Sequence, residues 1–322
     1  MKVGFLKYVF FVVCLTVLEA RGQNDFFFNH YMFNPSYFNP AWVGSEENAF
    51  VAAHHRTQWA GYDATFDPGG VPSTQLVSLS VPFQSAYLSG FGVAVTNDLL
   101  GPLITNQVRI SVAVKRETSI GLIRLGLMPS VNLISGNTDR YRFRDDGDDV
   151  VNELLNNGLN EVLPNLHAGL MYSNYNSLDI GISVENIIEP RYNLGSPLDN
   201  VLERNYNVFA RKSMGITRDL EFIPSILIRT DLNSYSMDVS GVLEYERRLW
   251  GGLAFRRAES LSVLVGYSFL ENGKLKAGYS FDYIIRDRDA KEPTSHEIFI
   301  RYNLPDLVFG GRKAVKTPRF AF

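Results

Sequence analysis

Apolar and polar residues alternate strictly along the last third of the chain. Every odd position from Leu261 to Phe269 and from Leu275 to Tyr283 is apolar, whereas the even neighbours are mostly small or charged. Successive side chains of a β-strand point to opposite faces, so this period predicts two antiparallel strands with one apolar and one polar face. The connecting residues Glu271-Asn272-Gly273 are typical of a tight hairpin turn.

The same pattern recurs from residue 49 onward and predicts fourteen strands, most of them about 9 to 11 residues long, the length that a tilted membrane-spanning strand needs. The predicted strands are 49–59, 74–83, 88–96, 104–116, 120–135, 163–173, 177–188, 204–214, 219–230, 235–247, 250–258, 260–270, 274–285 and 295–304. Arg, Lys, Asp and Glu stand in mid-strand on the polar face of several of them. This predicts a polar lumen with paired charges.

The connections between these strands differ in length at the two ends. Counted from the first strand, the odd-numbered connections include every long one: Ala60–Ser73, Asn97–Leu103, Gly136–Val162, Glu189–Glu203 and Arg286–Thr294. Two further odd-numbered connections, Asp231–Ser234 and Glu259, are short. Outer-membrane barrels have long extracellular loops, short periplasmic turns and an even strand number. We therefore predict an all-β protein, a transmembrane antiparallel outer-membrane β-barrel of about 14 strands. A secreted sandwich or propeller is the alternative.

The N-terminus has the features of a secretion signal. Lys2 and Lys7 precede a short apolar run over residues 8–18, and Ala20-Arg21-Gly22 supplies small residues for cleavage before Gln23. The predicted organisation is a signal peptide over 1–22, an N-terminal segment over 23–48, the barrel over 49–304 and a tail over 305–322. The predicted location is the bacterial outer membrane.

Two prolines interrupt predicted strands. Pro129 and Pro224 lie in the similar contexts Met128-Pro129-Ser130 and Ile223-Pro224-Ser225. Proline lacks the N–H that a ladder needs, so each position predicts a bulge or a bend of the strand. A kink that opens the wall toward lipid is the functional alternative.

The segment before the first strand is rich in aromatic residues and contains two Asn-Pro steps that disfavour regular structure. It is too apolar to stay in water, so we expect it in or under the barrel lumen or in a partner's groove. Both a plug and a partner-binding role fit this composition. The candidate residues are Tyr31, Phe33, Asn34, Pro35, Tyr37, Phe38, Asn39, Pro40, Trp42, Arg56 and Trp59.

Several motifs in this region resemble a known family. Tyr31-Met32-Phe33-Asn34-Pro35, Asn39-Pro40-Ala41 and Arg56-Thr57-Gln58-Trp59-Ala60-Gly61 occur in the order found in the PorP/SprF family of type IX secretion membrane proteins from Bacteroidetes. Pro72-Ser73-Thr74, Ser295-His296-Glu297-Ile298 and the terminal Pro318-Arg319-Phe320 extend the resemblance over the mature chain.

The resemblance implies a non-enzymatic outer-membrane component that assists export or surface anchoring of large cargo, such as gliding adhesins. The implied partners are the C-terminal domain of a secreted adhesin, other type IX components and outer-membrane lipid. A channel for small or hydrophobic solutes is the alternative function.

The sequence offers little for catalysis or for cofactors. Gly-x-Ser-x-Gly and phosphate-binding glycine motifs are absent, and the one cysteine, Cys14, lies in the predicted leader. We expect no catalytic, cofactor or metal residues. Asp145-Asp146-Gly147-Asp148-Asp149 could bind Ca²⁺, but its order does not match the twelve-residue helix-loop-helix pattern. A solvated acidic loop with Arg140, Arg142 and Arg144 as ion-pair partners is favoured. The net charge of −3 gives no indication of nucleic-acid binding.

Overall fold

The structure is a computed structural model that describes residues 26–61, 71–101, 103–136, 159–193, 200–270, 273–286 and 292–305. The predicted leader, the acidic run 145–149 and all but Pro305 of the predicted tail lie outside these residues. Fourteen strands make one barrel wall: β1 (Ala49–Thr57), β2 (Ser73–Pro82), β3 (Leu88–Leu100), β4 (Leu103–Thr118), β5 (Gly121–Gly136), β6 (Leu159–Asn174), β7 (Leu178–Glu185), β8 (Asn205–Lys212), β9 (Leu220–Thr230), β10 (Tyr235–Tyr245), β11 (Leu249–Arg256), β12 (Ser260–Phe269), β13 (Leu275–Ile284) and β14 (Thr294–Leu304).

The wall closes because the first strand pairs with the last. β1 and β14 run antiparallel, with Ala49 opposite Leu304 and Thr57 opposite His296. Each of the other strands pairs with its two sequence neighbours, and β8 joins β7 to β9. Closure leaves no unpaired edge among the described strands, as a hydrocarbon environment requires. The prediction of a fourteen-stranded antiparallel barrel is confirmed.

The two faces of the wall follow the alternation in the sequence. On β12, the side chains of Leu261, Val263 and Val265 are about half exposed on the outer face, whereas Ser262 and Leu264 are buried on the inner face. The outward apolar band suits lipid chains. Among the described residues, no helix has both the length and the apolar character needed to cross a membrane.

The ends of the barrel also differ as predicted, with one exception. We call the end with the connections 83–87, 119–120, 175–177 and 246–248 the short-turn end, and the opposite end the long-connection end. The connection predicted over Asn97–Leu103 is wrong: β3 and β4 extend to Leu100 and Leu103, so only two residues separate them. Continued antiparallel pairing satisfies backbone groups that a loop would have left to water.

Of the bulge or bend predicted at the two prolines, the bulge is wrong. Pairing of β4 with β5 stops at Arg109 opposite Ser130 and resumes, in the same register, at Val112 opposite Leu127. No extra residue is inserted, because the missing N–H of Pro129 removes hydrogen bonds without shifting the strand. On its other side β5 stays paired with β6 through Pro129.

Pro224 shows the same arrangement. β8 pairs with β9 as far as Arg211 opposite Ser225, and Met214 opposite Phe222 continues the register beyond the proline. β9 remains paired with β10 throughout. The wall at both prolines is therefore continuous, and the described structure gives no support to a lateral opening.

Candidate functional site

The barrel lumen is occupied by the residues that precede β1. This lumen segment, residues 26–48, contains three one-turn 3₁₀ helices, Tyr31–Phe33, Pro35–Tyr37 and Pro40–Trp42. Proline fits the first position of such a turn because the N–H it lacks would have no partner inside the helix. The Oδ1 atom of Asn39 accepts a hydrogen bond from the Ala41 amide at 3.0 Å and caps the third turn. Each Asn-Pro step therefore starts a turn.

Aromatic side chains of the segment pack against aromatic side chains of the wall. The ring centroids of Trp42 and Phe209 lie 4.9 Å apart, as do those of Phe33 and Trp250. The rings of Phe33 and Phe299 stack at 5.6 Å. These contacts give the lumen an apolar centre, which corrects the expectation of a polar lumen. Paired charges line the wall around this centre.

Wall arginines donate hydrogen bonds to main-chain carbonyls of the lumen segment. An irregular backbone buried away from water needs such donors, since its carbonyls have few partners of their own. The four bonds run from Arg229 to Phe26 at 3.2 Å, from Arg211 to Met32 at 2.8 Å, from Arg301 to Phe33 at 2.9 Å and from Arg109 to Tyr37 at 2.5 Å.

Each of these four arginines also pairs with a carboxylate. The partners are Asp238 for Arg229, Asp179 for Arg211, Glu46 for Arg301 and Glu185 for Arg109, at distances of 2.7 to 3.1 Å. A guanidinium has five N–H donors in a planar fork and can serve a carbonyl and a carboxylate together. The charges therefore position the segment and are themselves neutralised.

A buried polar cluster holds the first residues of the segment. The carboxylate of Glu297 accepts a hydrogen bond from the Asn29 amide at 2.6 Å and lies 2.7 Å from Nδ1 of His30. Arg56 contacts Asp282 at 2.6 Å, and its other nitrogen lies 3.6 Å from Glu297. The cluster thus joins β1, β13 and β14 to the segment.

The segment runs through the lumen from one end of the barrel to the other. The guanidinium of Arg256, the last residue of β11, lies 3.6 Å from the ring centroid of Phe27 at the long-connection end. At the short-turn end the Gly44 amide donates to Ser80 Oγ at 3.1 Å, and Ser89 Oγ donates to the Gly44 carbonyl. The chain then reverses into β1.

Three wall glycines, Gly126, Gly169 and Gly181, form a recess for the Asn39-Pro40-Ala41 turn. A Cβ at Gly126 would lie 2.3 Å from the Ala41 nitrogen, and one at Gly169 would lie 2.1 Å from Asn39 Oδ1. Both distances are far below van der Waals contact, so only glycine fits. The Nδ2 atom of Asn39 also donates to the carbonyls of Leu170 and Ile182, each at 3.3 Å.

Glu46 lies near the end of the segment, at the short-turn rim, between two cations. Its carboxylate lies 3.0 Å from Arg301 and 3.9 Å from Arg211. The positive charge of Arg301 is the main cause that lowers the pKa of Glu46 to about 2, against the opposing effect of burial. Glu46 is therefore ionised at neutral pH.

The structure brings together ten of the eleven candidate residues, all of them buried in the lumen: Tyr31, Phe33, Asn34, Pro35, Tyr37, Phe38, Asn39, Pro40, Trp42 and Arg56. Trp59 is not among them. It follows β1 in a left-handed conformation, with φ of 51°, and its amide donates to Ser295 Oγ at 3.0 Å. Its side chain is partly exposed and lies outside the aromatic cluster.

Sequence reasoning missed the wall side of the site. Phe209, Leu227, Leu264 and Phe299 occupy inner positions that the alternation assigns to the polar face. Their signal is a run that is apolar on both faces, as in Ile298-Phe299-Ile300. Such a run predicts an inner position covered by protein. Among the described residues, no group of three or more His, Cys, Asp or Glu is arranged to hold a metal ion.

Comparison with known proteins supports this architecture. The model of the family described as "Type IX secretion system membrane protein PorP/SprF" matches residues 20–302. The CymD monoaromatic hydrocarbon channel is similar in fold, with a TM-score of 0.50, 11% identity, and coverage of 88% of this chain and 95% of that one. No curated protein matches the chain.

Two further solved structures are more distant. The toluene transporter TbuX of Ralstonia pickettii has a TM-score of 0.49 and 10% identity, covering 86% of this chain and 94% of that one. A FadL homologue of Pseudomonas aeruginosa has a TM-score of 0.45 and 10% identity, covering 88% and 95%.

The closed wall, the outward apolar band and the filled lumen define an outer-membrane β-barrel with an internal segment. The family model spans most of the chain. The protein belongs to the PorP/SprF family of type IX secretion membrane proteins. It is thus an outer-membrane component of that secretion system, and family and fold are those of a secretion component, not of a known enzyme family. Family membership implies interaction with other components of the system.

Proposed function

We propose that this barrel assists the export or surface anchoring of large type IX cargo, such as gliding adhesins, without catalysing a reaction. The observation that carries the proposal is the attachment of the lumen segment to the wall from Phe26 to Gly44. Because the segment occupies the lumen along its length, a partner protein would bind at the surface of the barrel and not inside it. The long connections Gly136–Val162, Ala60–Ser73 and Glu189–Glu203 form the docking surface in this proposal.

The lumen segment acts in this scheme as a plug and not as the cargo-binding element. Tyr37 and Trp42 are only 6% and 2% exposed, so neither offers surface to another protein. The cargo partner is the C-terminal domain of a secreted adhesin, which approaches from the long-connection end. Other type IX components and outer-membrane lipid are the remaining proposed partners.

A channel for small or hydrophobic solutes is the competing function. A channel would require solutes to pass through the lumen while the segment is in place. The packing of Phe33 against Trp250 and Phe299 fills that path and argues against passage. Single-channel recording of the purified full chain separates the two. We expect no steady open conductance, and a stable open level would favour the solute channel.

Affinity capture from native outer membranes tests the docking role. Replacing residues 137–158 by a short Gly/Ser linker should abolish recovery of the type IX cargo. The matched control replaces the opposite turn Tyr175-Asn176-Ser177 by a Gly/Ser linker of the same length as that turn and should retain cargo. Migration of the unheated barrel in SDS gels verifies folding of both variants. Undiminished cargo with the first variant would overturn the proposal.

The double variant Tyr37→Ala with Trp42→Ala tests the plug role. We expect a less stable barrel that still captures cargo whenever it is folded. Loss of cargo from a folded barrel of this double variant would instead assign partner binding to the lumen segment.

A further inference from the structure

A cavity of about 450 Å³ opens at the short-turn end of the barrel, next to the point where the lumen segment turns into β1. Gly44 to Glu47 line one side, and the turn between β2 and β3 lines another through Pro82, Phe83, Gln84 and Ser85. Lys115 and Arg124 complete the lining from the inner faces of β4 and β5. Gln84 and Glu47 are exposed, so the cavity is accessible from that end.

Lys115 and Arg124 are direct cross-strand neighbours with the same charge. Like charges opposite each other destabilise an antiparallel pair. Arg124 is only 7% exposed, and its Nε atom has no hydrogen-bond partner. Its Nη1 atom donates to Ser173 Oγ at 3.1 Å, which is a neutral partner. The described carboxylates all lie beyond 4.0 Å from both cations.

This pair is the exception among the inward-facing cations of the described wall. The others each lie within 4.0 Å of a carboxylate, as follows: Arg56, Arg109, Arg211, Arg229, Arg256, Lys276 and Arg301. The two acids nearest to Arg124 are engaged elsewhere, since Asp179 pairs with Arg211 and Glu46 with Arg301 and Arg211. Two positive charges therefore face the cavity with no described carboxylate within 4.0 Å of either. Two acids share the lining: Glu46 is held by Arg301 and Arg211, and Glu47 is exposed at the mouth of the cavity.

The geometry points to a site for a carboxylate-bearing peptide segment that enters from the short-turn, periplasmic side. A lysine beside an arginine fork supplies charge-assisted donors for a carboxylate. Pro82 and Phe83 give the apolar wall that a peptide side chain requires, and the volume lies in the range of binding pockets. The cations point inward, away from the lipid-facing surface, so the ligand comes from the aqueous side. The inference stands on these pairings and does not depend on the docking role of the long connections.

Titration calorimetry of the purified full chain tests the site with a blocked tri-glutamate peptide as the probe. A blocked tri-glutamine peptide and inorganic phosphate serve as comparison ligands. We expect saturable binding of tri-glutamate, none of tri-glutamine, and a loss of affinity of about tenfold or more for Lys115→Gln with Arg124→Gln. Heat-modifiable migration in SDS gels verifies that this variant is folded.

The matched control removes two positive charges from the same end of the barrel outside the cavity. Arg116→Gln with Arg218→Gln changes exposed residues and should leave the affinity within about twofold. Equal losses in the two double variants would show general charge attraction and overturn the site. Absence of tri-glutamate binding, or binding of phosphate alone, would also overturn it.

A third variant keeps the inference falsifiable if the double variant does not fold. Lys115→Glu places a carboxylate opposite Arg124 and provides the missing counter-charge from within. We expect this variant to fold with a thermal midpoint at least equal to that of the wild type and to lose tri-glutamate binding. Retained binding would contradict the inference.

Discussion

The guanidinium of Arg109 contacts the main chain of Tyr37 and the side chain of Glu185 through the same nitrogen, Nη1. The distances are 2.5 Å to the Tyr37 carbonyl and 2.7 Å to the carboxylate. Arg109, which neutralises Glu185 of β7, therefore also holds the lumen segment in place. Folding of the barrel and placement of the segment depend on the same side chains.

Replacing Arg109 by alanine should lower the free energy of unfolding by about 3 kcal/mol, because it leaves Glu185 buried without its cation and the Tyr37 carbonyl without its donor. Urea unfolding in lipid vesicles, followed by circular dichroism, measures this. Arg116→Ala, at an exposed position on the same strand, should change the value by less than about 0.5 kcal/mol. Equal effects of the two substitutions would contradict the role given to Arg109.

Gly126→Ala should displace the Asn39-Pro40-Ala41 turn from the wall, since the new Cβ would meet main-chain atoms at 2.3 Å. We expect a destabilisation of about 2 kcal/mol and faster proteolysis within residues 26–48. Gly251→Ala is the control, because its Cβ would meet only the Leu264 carbonyl at 3.5 Å. Unchanged proteolysis of the Gly126 variant would contradict the close approach.

Glu46 should contribute a pH-dependent part of the stability. The Arg301 charge lowers its pKa from 4.5 to about 2, so its stabilising effect is complete above pH 5 and is lost as the pH falls from 4.5 toward 2. Glu46→Gln should cost about 1 to 2 kcal/mol at pH 7, allowing for solvent screening of a partly exposed group, and nothing near pH 2. Urea titrations of the variant and of the exposed control Glu47→Gln at several pH values measure the difference. A pH-independent difference would refute the assignment.

Trp250→Ala should cost about 3 to 5 kcal/mol, because this fully buried side chain packs on Phe33 and lies across the neighbouring glycines Gly266 and Gly278. Trp59→Ala removes the same side chain from a partly exposed position beyond β1 and should cost less than about 1 kcal/mol. Thermal unfolding followed by circular dichroism compares them. A larger effect at Trp59 would contradict the location of the apolar centre.

Much of the architecture was predictable from the chain alone. Strict alternation such as that over Leu261–Phe269 fixes which face meets lipid, because one residue of register shift would invert it. The strand number and the asymmetry of most connections follow from the same pattern. Local turn chemistry likewise places the Asn34-Pro35 and Asn39-Pro40 steps at the starts of turns.

Other features depend on contacts between residues far apart in sequence. The unbroken register past Pro129 depends on the pairing of β5 with β6, where Pro129 lies opposite Leu166. Trp59, outside the lumen cluster, is bonded through its amide to Ser295 on β14, 236 positions away. No local pattern encodes those pairings.

By itself, the sequence determined a closed barrel with a lipid-facing skin and an aromatic N-terminal segment that had to be buried, because period-2 alternation and the Asn-Pro turns are local properties. Only the tertiary structure decided how that segment is held. Arg109 reaches Tyr37 across 72 positions and Arg301 reaches Phe33 across 268. Such partners are chosen by the closure of the wall, which brings inward side chains together irrespective of their separation along the chain.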